Sequence, residues 1–213
     1  MTKKISKGYG KWHSQVKRNS QITLTVIDMQ KFFLTDENSE WFAPKMISVV
    51  PNIEKLIKII GTKNVIFTRF LPPKSWQDET GSWKTYFQIN KKITRRYLDD
   101  NSLDIIDEFL PYIKNHSLIA DRKKSASIFS DGNFKSKLAR KNTKFLIFVG
   151  IETDYCVLAS VLGAIQLGYF VIIVMDACAS SKKNGQKHAL GIFERFPEQL
   201  WITSTRNLIR KLQ

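Results

Sequence analysis

The sequence predicts an α/β fold: a doubly wound, mostly parallel six-stranded sheet with helices on both faces. Short apolar runs recur along the 213 residues, and most are continuous rather than alternating, as expected for strands buried on both faces. Helix-like segments separate these runs, and this alternation is typical of βαβ units. A hydrophobic share of 43% is enough for a sizeable core in a chain of this length.

The predicted strands follow the apolar runs in chain order: 22–27, 65–67, 118–120, 145–149, 170–175 and 200–202. The predicted helices are 51–60, 104–113, 155–167, 188–196 and 205–212. Pro51 suits a first helical position and Gly61 suits a helix end, so the first helix is expected to begin at the proline. Residues 70–100 are rich in aromatic side chains but have no clear period, and we expect them either to cap a pocket or to form a subunit interface.

The chain is expected to form a single domain over residues 21–213, preceded by a basic N-terminal arm over residues 1–20. The sequence contains neither an apolar signal core nor an apolar run of membrane-spanning length, which favours a cytoplasmic protein with no membrane partner. A content of 2 cysteines excludes a disulfide scaffold.

The composition is basic, with 34 Lys+Arg against 19 Asp+Glu and a formal net charge of +15. These residues are spread along the chain, and no stacking motif or zinc-finger spacing accompanies them. A solvated basic surface is therefore preferred over a nucleic-acid partner. A basic, nucleic-acid-associated binding protein on the same fold is kept as the alternative from a different functional class.

Reactive side chains follow three of the predicted strands. In open α/β sheets, ligands bind beyond the carboxyl ends of the strands. Asp28 follows the first strand, Lys123 and Lys124 follow the third, and Cys156 follows the fourth. A carboxylate, an ammonium and a thiol are therefore expected at one edge of one sheet.

Cys156 is the most informative of these residues. With Thr153 as the N-cap, it falls in the first turn of the next helix, where unpaired N–H groups and the helix dipole lower the pKa of a thiol. Asp28 would accept the thiol proton, and Lys123 or Lys124 would balance the carboxylate. Two structural interpretations stay open: a buried, inert Cys156 and an Asp28 that only caps the following turn.

Three segments carry a resemblance to a known family: 24–33 (LTVIDMQKFF), 149–157 (VGIETDYCV) and 163–177 (GAIQLGYFVIIVMDA). Over residues 23–196 the chain resembles the isochorismatase-like cysteine hydrolases, which include nicotinamidases and N-carbamoylsarcosine amidohydrolases. The resemblance implies a three-layer, Rossmann-like isochorismatase-like fold. By family analogy it also implies a homo-oligomer, either a dimer or a tetramer.

The resemblance implies a catalytic triad of Asp28, Lys123 and Cys156. The family places a serine four residues and a phenylalanine six residues after its lysine, and this spacing is found for Lys123 but not for Lys124. The match around this lysine is imperfect, so Lys124 is kept as the second choice.

The resemblance also implies a cis peptide bond between Ile151 and Glu152, and an oxyanion hole formed by the backbone N–H groups of Glu152 and Cys156. Aromatic residues near the predicted site are candidate walls of the substrate pocket: Phe33, Trp76 and Trp83. Cys178 has no motif of its own and is expected to be structural.

Departures from the family pattern narrow the predicted substrate. Nicotinamidases of this family carry a histidine-containing metal site after the second strand, whereas segment 68–73 (TRFLPP) has no histidine. We therefore expect no metal and no cofactor, and nicotinamide is disfavoured. True isochorismate hydrolases lack the nucleophilic cysteine, so Cys156 disfavours cleavage of a vinyl ether.

The leading prediction is a metal-independent cysteine hydrolase. It would cleave the C–N bond of a small-molecule amide or ureido substrate through a thioacyl-enzyme intermediate. The alternative within enzymes is an isochorismatase-type hydrolase that does not use Cys156 as a nucleophile.

Overall fold

Six parallel strands form the centre of the molecule. The computed structural model describes residues 11–18, 21–37, 39, 41–114, 118–130 and 133–213. Its strands lie in the order β3-β2-β1-β4-β5-β6, and every neighbouring pair is parallel. The predicted doubly wound sheet is therefore confirmed. The strands are β1 (Ile22–Ile27), β2 (Val65–Phe70), β3 (Leu118–Lys123), β4 (Phe145–Ile151), β5 (Phe170–Ala179) and β6 (Leu200–Thr203).

Helices cover both faces of this sheet. They are α1 (Met46–Ile60), α2 (Gly81–Ile89), α3 (Leu110–Lys114), α4 (Asn133–Arg140), α5 (Leu158–Gln166), α6 (Gly185–Phe193) and α7 (Thr205–Leu212). Apolar residues of α1 and α7 share one buried cluster with the sheet, and those of α4, α5 and α6 share the other.

Strand β4 shows why the apolar runs are continuous. Ile147 and Val149 belong to the cluster on the α1 and α7 side, whereas Leu146 and Phe148 belong to the cluster on the α5 and α6 side. Successive side chains of a strand point to opposite faces, and both faces of this strand are buried. Every residue of such a strand therefore has to be apolar or small.

The predicted start of the first helix at Pro51 is wrong, because α1 begins at Met46 and contains the proline. A proline inside a helix leaves the carbonyl four residues before it without a partner. That carbonyl belongs to Ile47, which lies in the first turn and is exposed to solvent. The predicted end is confirmed, since Gly61 adopts a φ of 87°, which glycine reaches without steric cost.

The other predicted helices differ mainly at their ends. The helix predicted at 104–113 begins later, as a 3-10 turn over Asp107–Phe109 that leads into α3. The helix predicted at 188–196 is shifted toward the N-terminus, to α6, whereas the last predicted helix coincides with α7. Two helices, α2 and α4, have no counterpart in the prediction.

Part of the predicted basic arm packs on the sheet. Trp12 is buried, its ring stacks on that of Phe170 at 4.8 Å, and its Nε1 donates to the carbonyl of Glu198 at 2.6 Å. Val16 is also buried. Residues 1–10 and 19–20 of the predicted arm lie outside the described residues. Within the described part of the chain, no helix is long and apolar enough to cross a bilayer.

Candidate active site

The predicted site lies at the topological switch point of the sheet. From β1 the strand order continues through β2 to β3 on one side, and through β4 to β5 and β6 on the other. Ligands of doubly wound folds bind beyond the carboxyl ends of the strands at such a point. Asp28 follows β1 directly, Cys156 lies in the turn after β4, and Lys123 is the last residue of β3.

Two unusual backbone positions shape this edge of the sheet. Gly150, near the end of β4, has a φ of 108°, and a Cβ there would overlap the carbonyl oxygen of Ile27. Only glycine therefore allows β1 and β4 to approach so closely at this point. Asp28 has a φ of 47°, in the left-handed region that Asp tolerates better than most residues.

Thr68 of β2 holds Asp28 in place. The backbone N–H of Asp28 donates to Oγ1 of Thr68 at 3.1 Å, and the Thr68 hydroxyl donates to Oδ1 of Asp28 at 2.7 Å. Gln30 ties the same segment to its neighbours, since its side chain pairs with the backbone of Phe70 and donates to the carbonyl of Leu103. The carboxylate is therefore fixed by two strands.

Lys123 connects the carboxylate to the thiol. Its Nζ lies 2.5 Å from Oδ2 of Asp28 and 3.2 Å from Sγ of Cys156. All three residues are buried, with exposed fractions of 0% for Asp28, 2% for Lys123 and 5% for Cys156. Lys124 is exposed, so the structure brings Lys123, and not its neighbour, to the other two residues.

Burial and charge act against each other at these groups. Burial raises the pKa of the Cys156 thiol to about 12, although the Lys123 ammonium lowers it. Burial alone would lower the pKa of Lys123, but the charges of Asp28 and Cys156 raise it above its ordinary value. The sequence-based expectation of a lowered thiol pKa is therefore wrong. Desolvation raises the pKa of the Cys156 thiol more than the Lys123 ammonium lowers it, so the resting group is a thiol.

The turn that carries Cys156 differs from the predicted N-cap. Residues Thr153–Val157 form a π-helical turn whose N-cap is Glu152 rather than Thr153. The Thr153 hydroxyl points away from the turn and bonds to Oε1 of Gln186 at 2.6 Å. The peptide bond between Ile151 and Glu152 is cis. Cys156 still lies in the first turn of the segment that continues into α5.

An aromatic slot leads to the sulfur. Its walls include Phe33 and Trp83 of the predicted pocket residues, but not Trp76, whose ring lies under the ammonium of Lys84. The free space in the slot is about 10 Å³, roughly the room that one water molecule needs. A substrate therefore has to displace side chains to reach the thiol. The remaining walls are Trp41, Phe70, Tyr86, Ser125, Ala126, Tyr155 and Cys156 itself.

Two wider cavities with charged residues in their walls flank the slot. The larger holds about 770 Å³ and shares Trp83 and Ser125 with the slot. The other holds about 260 Å³ and shares Trp41, Tyr86 and Tyr155 with it. The charged residues of the larger cavity are Lys74, Asp78, Glu79, Arg95 and Lys124. Those of the smaller one are Glu152, Asp154 and Lys182.

Several residues at the site were missed by sequence reasoning. Thr68 and Phe70 lie at the end of β2, so extending the search for strand-end residues to this strand would have found both. Tyr155 precedes the nucleophile in the same motif and lines the slot. Trp41 follows the first strand only after a long loop, and the sequence carries no signal for it.

The side chains at the end of β2 and directly after it do not fit a metal site. Thr68 is engaged by Asp28, and Arg69 pairs with Asp104 at 2.6 Å. Phe70 and Leu71 carry no ligand atom in their side chains. Among the described residues, no group of three or more His, Cys, Asp or Glu side chains is close enough together to hold a metal ion.

Comparisons with known proteins agree with this arrangement. The isochorismatase domain model matches residues 23–206. Isochorismatase family protein 1B of Dictyostelium discoideum is 38% identical over 77 residues, which cover 36% of this chain and 36% of that protein. The uncharacterized isochorismatase family protein YaaI of Bacillus subtilis (strain 168) is 26% identical over 190 residues, which cover 88% of this chain and 96% of that protein.

Solved structures share the fold. A cysteine hydrolase from Pseudomonas syringae pv. phaseolicola 1448A is 20% identical, with a TM-score of 0.75 over 90% of this chain and 92% of that one. An N-carbamoylsarcosine amidase from Thermoplasma acidophilum is 18% identical, with a TM-score of 0.67 over 87% of this chain and 97% of that one. At these identities the likeness establishes the architecture alone.

Proposed function

Because this chain belongs to the isochorismatase family, we propose that it is a metal-independent cysteine hydrolase. It cleaves the C–N bond of a small amide or ureido compound through a thioacyl-enzyme intermediate. The observation that carries this proposal is the buried ammonium of Lys123, which lies 2.5 Å from the carboxylate of Asp28 and 3.2 Å from the sulfur of Cys156. An ammonium in contact with both groups can balance the negative charge on either one.

In the first step, Asp28 accepts the proton of the Cys156 thiol while the sulfur attacks the substrate carbonyl carbon. Since the raised pKa keeps the resting sulfur protonated, removal of the proton has to accompany the attack. The Lys123 ammonium stays protonated and stabilises the negative charge as it moves from the carboxylate to the sulfur and on to the substrate.

In the second step, the C–N bond breaks. The backbone N–H groups of Glu152 and Cys156 hold the tetrahedral oxyanion, and protonated Asp28 returns its proton to the departing nitrogen. A water molecule, deprotonated by Asp28, then attacks the thioester, which releases the acid and restores the thiol. The net reaction consumes one water and yields an amine or ammonia and an acid.

The walls of the slot support a small, planar substrate. Aromatic side chains on both sides favour flat groups such as an amide or a ureido unit. The segment at the end of β2 offers no set of metal ligands, which supports hydrolysis without a metal. One fold neighbour is named as an N-carbamoylsarcosine amidase, a name that describes the same bond type.

The experiment is a measurement of ammonia release from small amides and ureido compounds, using protein dialysed against a chelator. Asp28→Asn removes the general base and should lower kcat/KM by roughly 10²–10⁴-fold. Asp107→Asn is the matched control, because Asp107 is exposed and its ion pair with Lys31 lies at the surface. Unchanged activity of Asp28→Asn would remove Asp28 from the mechanism, and activity that depends on added metal would contradict metal independence.

A further inference from the structure

One oxygen of a buried carboxyl group beside the site has no hydrogen-bond partner among the described residues. Glu152 is 5% exposed, and its Oε1 has no partner among the described residues. Burial raises the pKa of this carboxyl group, with Asp154 raising it further and Ser181 and Lys182 acting against the shift. A polar oxygen withdrawn from water without a donor is costly, so a donor from outside the described chain would stabilise it.

Glu152 also forms part of the smaller cavity beside the slot. This cavity holds about 260 Å³ and is walled on the slot side by Trp41, Tyr86 and Tyr155. The same aromatic residues wall the slot that ends at Cys156. A molecule whose amide carbon lies at the sulfur can therefore extend past these rings toward Glu152.

We propose that Glu152 determines specificity by accepting a hydrogen bond from an ammonium group of the substrate, which makes the substrate a small amide with an amine at its far end. This inference rests on the proposed function, because it places the amide at Cys156. The carboxyl group of Glu152 recognises the substrate, whereas the backbone N–H of the same residue donates to the oxyanion.

The charges around the two cavities favour this choice of ligand. In the smaller cavity, the carboxylates of Glu152 and Asp154 outnumber the ammonium of Lys182. The carboxylate of Asp154 already accepts a hydrogen bond from Ser180 at 2.6 Å, whereas Glu152 keeps one oxygen, Oε1, without a partner among the described residues. The larger cavity has three basic and two acidic side chains and is the less favourable place for a cation.

The spacing suits a short substrate. Glu152 is the N-cap of the single turn that carries Cys156, so the two residues belong to one short segment. The last side-chain torsion of a glutamate is broad, so the carboxyl group can turn either oxygen toward the cavity. A spacer of a few atoms between the amide and the amine is therefore sufficient.

The test compares three amides of the same length: β-alaninamide, which carries an ammonium, butyramide, which carries a methyl group, and succinamate, which carries a carboxylate. Hydrolysis and binding are both measured, the latter by titration calorimetry. We expect β-alaninamide to have at least about a tenfold lower KM and Kd than butyramide, as for a hydrogen bond to a charged group. We expect kcat to be similar and succinamate to bind most weakly.

Glu152→Gln should bring the KM of β-alaninamide to within about threefold of that of butyramide, since the charge is lost while the shape is kept. Glu79→Gln is the matched control, because it removes a carboxylate from the larger cavity and should leave the preference unchanged. If Glu152→Gln raises the KM of all three amides by the same factor, or if succinamate binds best, the inference is wrong.

A second variant keeps the test decisive where Glu152→Gln does not fold. Lys182 is exposed on the rim of the same cavity. Lys182→Gln removes the competing cation and should therefore lower the Kd of β-alaninamide. An unchanged or raised Kd contradicts the inference. Failure of the proposed function has a different signature. Binding of β-alaninamide that depends on Glu152 without hydrolysis of any amide supports the recognition site and contradicts the hydrolase.

Discussion

The surroundings of the two cysteines differ in one respect that matters for chemistry. Cys156 and Cys178 are both buried, with exposed fractions of 5% and 3%, and burial raises the pKa of both thiols. Cys178 lies within β5, opposite Gly150 of β4, and its Sγ meets the carbonyl oxygen of Phe148 at 3.9 Å. Cys156 has the Lys123 ammonium at 3.2 Å.

The comparison teaches that burial alone produces an inert thiol in this molecule. Desolvation disfavours the thiolate at both positions, but only at Cys156 do an ammonium and a carboxylate converge on the sulfur. These groups come from the ends of two other strands, β1 and β3, so the difference arises from topology rather than from the local sequence of either cysteine.

The largest expected effect separates the two cysteines directly. Cys156→Ala should lower kcat by at least roughly a thousandfold, as for other nucleophiles of catalytic triads. Cys178→Ala removes a sulfur of equal burial and should leave kcat within about threefold of the wild type. Circular dichroism serves to establish that both variants fold. Full activity of Cys156→Ala would contradict the claimed difference between the two cysteines, since both thiols would then be structural.

The next effect concerns stability and separates the two neighbouring lysines. Lys123→Met leaves the buried carboxylate of Asp28 without a balancing positive charge, and breaking such a pair costs about 3–5 kcal/mol of unfolding free energy. Lys124→Met changes an exposed side chain and should cost less than about 0.5 kcal/mol. Urea unfolding at neutral pH measures both.

The double variant Asp28→Asn with Lys123→Met sharpens this prediction. It removes both charges, so it should be more stable than Lys123→Met alone. Asparagine tolerates the left-handed backbone conformation of position 28, which keeps backbone strain out of the comparison. Strictly additive losses would show that the two side chains are not coupled.

The remaining prediction needs no further substitution and concerns the pH dependence of alkylation by iodoacetamide. Only the thiolate reacts, and the pKa of Cys156 is raised to about 12. The rate at Cys156 should therefore rise about tenfold per pH unit between pH 7 and pH 10. Cys178 should stay unmodified in the folded protein. A rate at Cys156 that levels off near pH 7 would indicate a preformed thiolate and contradict activation by Asp28.

Most of the fold could be predicted from the sequence, because strands buried on both faces leave continuous apolar runs. Helix α2 was missed although Trp83, Tyr86 and Phe87 follow a helical spacing and their rings contact one another. The segment is short and its apolar face is aromatic, so it did not stand out from the surrounding loop. The start of α1 was misplaced because a helix can contain a proline near its start, where the carbonyl that loses its partner belongs here to an exposed residue, Ile47.

The candidate site was predicted in part. The rule that ligands bind at strand ends selected Asp28, Cys156 and one of the two lysines Lys123 and Lys124 as neighbours, and the preference for Lys123 came from the family's spacing. The direction of the Cys156 pKa shift was not predicted correctly. A position in the first turn of a helix indicates only the effect of the local dipole on the thiol. Desolvation by residues far away in the chain, among them Phe70 and Trp83, appears only in the folded structure. Trp41 could not be predicted from the sequence for the same reason, because only the folded chain brings it to the slot.

The most direct test of the central claim is mass spectrometry of the enzyme during slow turnover of an amide. The protein carries Cys178→Ala, so that Cys156 is its only remaining thiol. The account predicts an acyl adduct that maps to Cys156, is released by hydroxylamine and disappears when the substrate is exhausted. Continued hydrolysis with no adduct on Cys156 in rapidly quenched samples would contradict it, and would favour a hydrolase in which Asp28 acts without the cysteine.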